Sequence, residues 1–128
     1  VEARPVFAEE GLEAQVGAET MRRIFSPVFE NALAYARGVV EIEARSHDRM
    51  VEITVSDDGP GFTAEEVPVV FEPGGRGSAE RNAAAPSSTG LGLPLARRLA
   101  RANGGDVIIV ERDGRTGGVV RISLPAAI

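Results

Sequence analysis

A helical pattern followed at once by two alternating stretches sets the main limit on the fold. From Met21 to Ala36, apolar residues fill eight successive positions of the i, i+3, i+4, i+7 template, which predicts an amphipathic helix. Residues 40–45 and 51–56 then alternate apolar and polar side chains, which predicts two strands joined by a turn at 46–49. A second pair of apolar segments, 107–110 and 119–124, flanks a glycine-containing loop. The two hairpins predict an antiparallel sheet.

A second helix and a long irregular segment lie between the hairpins. The helix is predicted from about Leu93 to Asn103, with Pro94 in its first turn and Gly104-Gly105 ending it. Its arginines at 97, 98 and 101 share one face, which is interpreted as a solvated face. Residues 72–89 show neither an apolar period nor a core face, so this segment is interpreted as a mobile loop. Such a long loop within a domain is usually either functional, as a lid, or disordered.

The chain contains 14 arginines but no lysine, no cysteine and a single histidine, His47. A lysine is needed by P-loops, by Schiff-base enzymes and by protein kinases, so these classes are excluded. The absence of cysteine excludes disulfides and cysteine zinc sites, and one histidine excludes a multi-histidine metal site. Any phosphate bound by this chain must therefore be held by arginine, by backbone amides or by a metal ion.

Length and charge indicate one domain, residues 1–128, with no nucleic-acid partner. A chain of 128 residues can bury one core, and a net charge of −5 lacks the basic footprint of a nucleic-acid-binding protein. No apolar run reaches membrane-spanning length, and the start at Val1, without a methionine, indicates an internal fragment of a longer protein. The lack of cysteine fits the reducing cytoplasm.

The segment from Asp57 to Phe62 follows a predicted strand and can approach a flat ligand closely. Asp57 could accept a hydrogen bond from an exocyclic amine, and Gly59 and Gly61 would let the backbone come near without a Cβ clash. Such a carboxylate prefers adenine, which presents a donor, over guanine, which presents an oxygen. The same residues also fit a plain strand-to-helix turn capped by Asp57 or Asp58.

Two further positions could complete a nucleotide site. Residues Thr89, Gly90, Leu91 and Gly92 open the second helix, where exposed amides form a phosphate cradle that needs no lysine. They also fit a simple helix entry with Thr89 as the cap. Asn31 lies at the edge of the apolar stripe of the first helix and offers a hard oxygen suited to Mg²⁺. By itself, an asparagine at a helix edge is far more often solvated or locally bonded than a metal ligand. Tyr35 lies one turn further along the same edge and is likewise more often a core residue than a nucleotide platform.

The order of these motifs resembles the GHKL ATPase superfamily of gyrase, heat-shock chaperone, histidine kinase and mismatch-repair ATPases. It is most similar to the catalytic and ATP-binding domain of bacterial sensor histidine kinases, from about residue 5 to 125. The resemblance implies a Bergerat-type α/β (α+β) two-layer sandwich. Its mostly antiparallel mixed sheet would be covered on one face by helices, and a long mobile ATP lid would span about 72–89.

The resemblance also implies roles for individual residues, with ATP and Mg²⁺ as cofactors. The Mg²⁺ ligand would be Asn31, the adenine reader Asp57, and the residue approaching the terminal phosphate Arg76, which is the catalytic candidate. The other nucleotide-binding positions would be Tyr35, Gly59, Gly61, Phe71, Thr89, Gly90, Leu91 and Gly92.

In this family the γ-phosphoryl group of ATP passes to a histidine on a separate dimerisation domain of a homodimeric kinase, and a response regulator acts downstream. The resemblance therefore implies a protein-histidine kinase domain that does not phosphorylate itself alone, in the cytoplasmic part of a membrane-anchored sensor. Two alternatives stay open, a degenerate nucleotide-binding interaction module and a serine-kinase anti-sigma factor on the same fold. The first is motivated by Pro27, where relatives often carry a polar residue, and by the missing second aromatic after Phe71.

Overall fold

The computed structural model describes residues 1–72, 92–111 and 117–127, and within these it forms two helices and five strands. The helices are α1 (Ala18–Tyr35) and α2 (Gly92–Ala102). The strands are β1 (Glu2–Ala8), β2 (Val39–His47), β3 (Met50–Asp57), β4 (Asp106–Ile109) and β5 (Val119–Pro125). Most of the predicted lid, together with residues 112–116, lies outside the described residues.

Helix α1 forms where the 3.6-residue apolar period predicted it. Gly17 precedes it in an extended conformation, and the helix runs through Pro27 before ending at Tyr35. Proline lacks the amide hydrogen that would bond to the preceding turn, so one helical hydrogen bond is missing. Burial of the apolar face compensates for this loss. The buried stripe turns inward onto the sheet; its members are Ile24, Val28, Ala32 and Tyr35.

The sheet has the order β1-β2-β3-β5-β4, in which β1 pairs parallel to β2 and the other pairs are antiparallel. The mixed, mostly antiparallel sheet and the covering helices confirm the predicted fold class. Strand β1 was not predicted, because apolar and polar side chains alternate only over residues 1–4 and residues 5–8 are all apolar. Its register with β2 shifts between Pro5 and Phe7.

The β2–β3 hairpin turns more tightly than predicted. His47 pairs with Met50, so only Asp48 and Arg49 form the turn, and both have positive φ angles, 49° and 65°. Two left-handed residues match the twist of the flanking strands, which lets both strands extend into the segment predicted as loop. The predicted turn at 46–49 was therefore too long by two residues.

The register of β2 and β3 decides which side chains face the helices. Val55 is buried in this face, and Asp57, two residues later, points the same way because side chains alternate along a strand. The opposite face carries polar and charged side chains, including Glu41, Glu43 and Thr54. The core lies between the sheet and the helices; its fully buried large side chains are Ile24, Val28, Val40, Val55, Val107, Ile122 and Leu124.

Helix α2 lies beside α1 on the same face of the sheet and buries Leu93, Ala96 and Ala100. It begins and ends one residue earlier than predicted. Within the described ranges, no helix combines the length and the apolar character that crossing a bilayer requires.

Candidate functional site

The Asp57 carboxylate is fixed at the end of β3 by backbone amides. Its Oδ1 accepts hydrogen bonds from the Gly59 amide at 2.8 Å and from the Gly118 amide at 3.2 Å. The Asp57 amide in turn donates to the Gly118 carbonyl at 2.9 Å. The side chain is half-buried on the helix-covered face. Two amides on one oxygen stabilise the charged form of a carboxylate and hold it in a single orientation.

Gly59 and Gly61 are required by contacts within the protein. A Cβ on Gly59 would lie 2.0 Å from the carbonyl oxygen of Tyr35, and a Cβ on Gly61 would lie 2.8 Å from that of Gly117. Gly61 also has a φ of +79°, which favours glycine. These glycines were predicted to let the backbone approach a ligand. In the structure they pack the turn against the end of α1 and against the segment leading into β5.

Asp58 fastens the same turn to the connection between α1 and β2. Its Oδ1 accepts the amides of Arg37 at 2.7 Å and Gly38 at 3.0 Å, and its Oδ2 lies 3.1 Å from the Gly38 amide. The Gly38 amide is the main reason why the pKa of the Asp58 carboxyl is lowered. Both carboxylates were candidates for capping the turn. Asp58 binds backbone amides about 20 residues earlier in the chain, whereas Asp57 binds the amides of Gly59 in its own turn and of Gly118.

We expect Asp58→Ala to lower the melting temperature at pH 7, because two backbone amides lose their acceptor. Asp58→Asn should restore most of the loss, since its side-chain oxygen still accepts. A carboxyl with a lowered folded pKa stabilises the fold above its unfolded pKa and loses that contribution as the pH falls through the folded value. The difference in melting temperature between wild type and Asp58→Ala should therefore become smaller as the pH falls below the ordinary pKa range of aspartate. Thermal melts from pH 7 to pH 2 test this, and a gap that widens with acid would contradict it.

Asn31 and Tyr35 lie one turn apart on α1, and Tyr35 ends the helix next to the Asp57 turn. Asn31 is half-buried, and Tyr35 is only 8% exposed. The Tyr35 carbonyl lies against Gly59, so the end of α1 and the Asp57 turn are in direct contact. Tyr35 is thus also part of the core, as the plainer interpretation held.

The start of α2 lies against α1 one turn before Asn31. A Cβ on Gly92 would be 3.4 Å from the Cβ of Pro27, so the two backbones approach closely at this point. This contact places the amino end of α2 near the candidate metal position on α1. The other residues predicted to bind phosphate lie outside the described residues; they are Arg76, Thr89, Gly90 and Leu91.

Phe71 is half-buried and packs against the core, with the guanidinium carbon of Arg97 4.4 Å from the centre of its ring. The Nε of Arg97 and that of Arg101 both donate to Oδ1 of Asp106, at 3.1 and 3.0 Å. Burial raises the pKa of Asp106, but the two arginines and the Val107 amide outweigh it and lower the pKa overall. The interpretation of the arginine face as merely solvated was therefore wrong for Arg97.

Two parts of this arrangement were not predicted from the sequence. Gly118 supplies an amide to Asp57 from 61 residues away, and Gly117 has a φ of +105° with no room for a Cβ beside the Asp57 carbonyl. Consecutive glycines just before a strand were the available signal. The other part is a capping box, in which Thr63 and Glu66 exchange side-chain to backbone hydrogen bonds at 2.8 and 3.2 Å. The spacing Thr-x-x-Glu could have predicted it.

Together, the described residues form a fixed acceptor, a hard oxygen and a helix start around one face of the sheet. Asp57 can receive a hydrogen bond from an amino group, and Asn31 can contribute a metal ligand. The amino end of α2 carries the positive end of a helix dipole, which favours an anion. These three features suit a ligand that carries an amino group at one end and a metal-bound anion at the other.

A protein family described as histidine kinase-, DNA gyrase B-, and HSP90-like ATPase matches residues 17–128. The chain is 33% identical over 119 residues to a sensor histidine kinase component, HK1, from Mycobacterium tuberculosis, a match that covers 92% of this chain and 68% of the relative. Other curated relatives are longer, and the chain spans 30% or less of several of them.

Solved structures of histidine kinases share the fold, MprB and ShkA among them. The mycobacterial sensor histidine kinase MprB superposes with a TM-score of 0.82 at 22% identity, covering 97% of this chain and 84% of that one. Full-length ShkA in complex with AMPPNP superposes with a TM-score of 0.80 at 23% identity, covering 98% of this chain and 26% of that one. At these identities the likeness concerns the fold.

Proposed function

Because this chain belongs to the histidine kinase-, DNA gyrase B- and HSP90-like ATPase family, in the form found in sensor histidine kinases, we propose that it binds Mg-ATP and donates the γ-phosphoryl group to a histidine on a separate dimerisation domain. The observation that carries this proposal is the Asp57 carboxylate, fixed by two amides on the helix-covered face of the sheet. Binding of AMPPNP by the ShkA kinase, which shares the fold, supports ATP as the ligand.

Asp57 would give the site a preference for adenine. A carboxylate presents only acceptor atoms, so it pairs with the 6-amino group of adenine and repels the 6-oxygen of guanine. Oδ1 is already held by the Gly59 and Gly118 amides, which fixes the plane of the carboxylate before the base arrives. A preorganised acceptor of this kind loses little entropy on binding.

Asn31 is the residue of the described chain that would hold Mg²⁺. A side-chain amide oxygen is a hard ligand, and Mg²⁺ keeps several waters and takes its other ligands largely from substrate phosphates. The half-buried place of Asn31 on α1, one turn from the contact between Pro27 and Gly92, fits this role. When bound, the metal would neutralise phosphate charge and orient the triphosphate.

The phosphates would lie at the amino end of α2. We assign Thr89, Gly90, Leu91 and Gly92 to backbone contacts with the triphosphate, and Arg76 to the terminal phosphate. The chain has no lysine to bind phosphate. In this assignment helix amides, an arginine and a metal ion bind the phosphates instead. Phe71 would border the same site.

Phosphoryl transfer at such a site needs positioning and charge neutralisation. The bond between the γ-phosphorus and the β–γ bridging oxygen breaks, a bond forms to an imidazole nitrogen of the acceptor histidine, and ADP leaves. His47 is exposed at the end of β2, 3.2 Å from a carboxylate oxygen of Asp48. Because it lies next to a hairpin turn and not on a helix, we place the acceptor histidine on the dimerisation domain of a homodimeric parent. A response regulator would receive the phosphoryl group downstream, and the domain would lie on the cytoplasmic side of a membrane-anchored sensor.

We expect Asn31→Ala to weaken ATP binding about tenfold in Mg²⁺ and to leave binding in EDTA nearly unchanged, because the lost amide oxygen acts through the metal. Calorimetric titration of ATP and ADP, each with and without Mg²⁺, measures this. Glu30→Ala is the matched control, since Glu30 is the exposed neighbour on the same helix. Equal affinities of wild type and Asn31→Ala in Mg²⁺ would rule out the metal role. Equal losses with and without Mg²⁺ would reassign Asn31 to direct nucleotide contact.

A degenerate regulatory module is the second candidate. The observation in its favour is Pro27, which occupies the middle of α1 and contacts Gly92 at the start of α2, where a polar side chain could otherwise assist catalysis. This candidate predicts weak or no ATP binding in the same titrations. Autophosphorylation of the full-length parent in Mg-ATP would exclude it.

A further inference from the structure

The Arg97 side chain connects an aromatic ring to a carboxylate at the far edge of the sheet. Its guanidinium carbon lies 4.4 Å from the centre of the Phe71 ring, and its Nε donates to Asp106 Oδ1 at 3.1 Å. The side chain is 28% exposed, so the contact is partly shielded from water. A guanidinium that is oriented by a carboxylate and stacked on a ring is restricted in both rotation and tilt.

The carboxylate at the other end of this connection is itself fixed. Asp106 Oδ1 also accepts the Val107 amide at 2.8 Å and the Arg101 Nε at 3.0 Å. Asp106 begins β4, so the three donors hold it to the sheet and to α2 together. The chain of contacts therefore runs from the sheet, through Asp106 and Arg97, to Phe71.

Phe71 ends the segment that begins at the Asp57 turn. From Gly61 the backbone passes through the Thr63–Glu66 capping box to Phe71, and consecutive turn hydrogen bonds connect residues 63–72. Arg97 belongs to α2, whose first residue is Gly92. The contact of Arg97 with Phe71 thus ties the segment carrying the candidate adenine site to the helix carrying the candidate phosphate site.

We propose that Arg97, held by Asp106, is a positioning residue that fixes Phe71 against α2 and thereby sets the spacing between the adenine and phosphate parts of the nucleotide site. This inference rests on the proposed function. Arg97 acts through Phe71, since its guanidinium is already committed to the ring and to Asp106. Arg101 shares the carboxylate but is twice as exposed, at 56%, and the stacking contact with Phe71 belongs to Arg97.

The test is a double-mutant cycle on ATP affinity. Arg97→Gln and Phe71→Leu are each expected to raise the Kd for Mg-ATP about three- to tenfold, the scale of one partly shielded cation–π contact. The double variant should be no weaker than the weaker single variant, because both changes remove the same contact. Arg97→Lys keeps the cation and should recover part of the affinity. Arg101→Gln removes an ion pair to the same carboxylate and should change the Kd by less than about twofold.

A fluorescence readout separates the contact from nucleotide binding. The chain has no tryptophan, so Phe71→Trp introduces a single reporter whose emission should shift when Arg97→Gln is added and stay unchanged when Arg101→Gln is added. Losses that multiply in the double variant, or an unchanged Kd for Arg97→Gln, would overturn the positioning role. No ATP binding by the unaltered chain would instead refute the proposed function, and the emission shift would still show whether the contact exists.

Discussion

Replacing Asp57 with asparagine is expected to weaken ATP binding about 100-fold while leaving the fold intact. Asparagine keeps an oxygen that can accept from the Gly59 and Gly118 amides, which Asp57 now holds at 2.8 and 3.2 Å. It replaces the other carboxylate oxygen with an NH₂ group, which would face the amino group of adenine donor to donor. Losing a hydrogen bond to a charged acceptor and gaining a repulsive contact amounts to about 2–3 kcal/mol. Calorimetry with Mg-ATP measures the affinity, and urea unfolding checks the fold.

Asp58→Asn is the matched control, because it makes the same chemical change at the neighbouring residue, whose carboxylate caps Arg37 and Gly38. Its ATP affinity should stay within a few-fold of the unaltered chain. A GTP titration adds a second check, since the unaltered chain should prefer ATP strongly and Asp57→Asn should lose most of that preference. If Asp57→Asn binds ATP as tightly as the unaltered chain, the adenine assignment is wrong.

Gly59→Ala is expected to lower the free energy of unfolding by about 3 kcal/mol or more, a loss that only severe overpacking or strain produces. The added Cβ would lie 2.0 Å from the Tyr35 carbonyl oxygen and 3.0 Å from Asp57 Oδ1. The Tyr35 carbonyl belongs to the backbone, and Asp57 Oδ1 is held by two amides. The clash can therefore relax little unless α1 and the turn separate. Urea unfolding followed by circular dichroism measures the loss.

Gly38→Ala is the control for this change, because it lies in the same connection and its Cβ would meet only Asp58 Oδ2, at an ordinary 3.5 Å. Replacing glycine there should be neutral or slightly stabilising, since the unfolded chain loses freedom. The ATP affinity of folded Gly59→Ala should also fall, because the contact joins Tyr35 to the Asp57 turn. A stability equal to that of Gly38→Ala would show that the turn does not pack against α1 as described.

The elements that follow a strong local period were the predictable ones. Helix α1 and strands β2, β3 and β5 formed within a few residues of their predicted bounds, because apolar spacing of 3.6 or 2 selects one face for burial. Strand β1 alternates only over its first residues and is held by parallel pairing with β2. Arg97 was predicted as solvated, because its helix face carries three arginines, and its partners Phe71 and Asp106 lie on other elements.

The sequence by itself determined which chemical groups are available: a lysine-free chain with Asp57 after an alternating strand, Asn31 on an amphipathic helix, and glycine pairs at two turns. These follow from residue type and local spacing. Only the tertiary structure decided the hydrogen-bond partners of Asp57 and Asp58. Asp57 accepts the Gly118 amide, and Asp58 accepts the amides of Arg37 and Gly38. The reason is physical: alternation along a strand sets the direction of each side chain, whereas its hydrogen-bond partner is set by packing between elements that are distant in the chain.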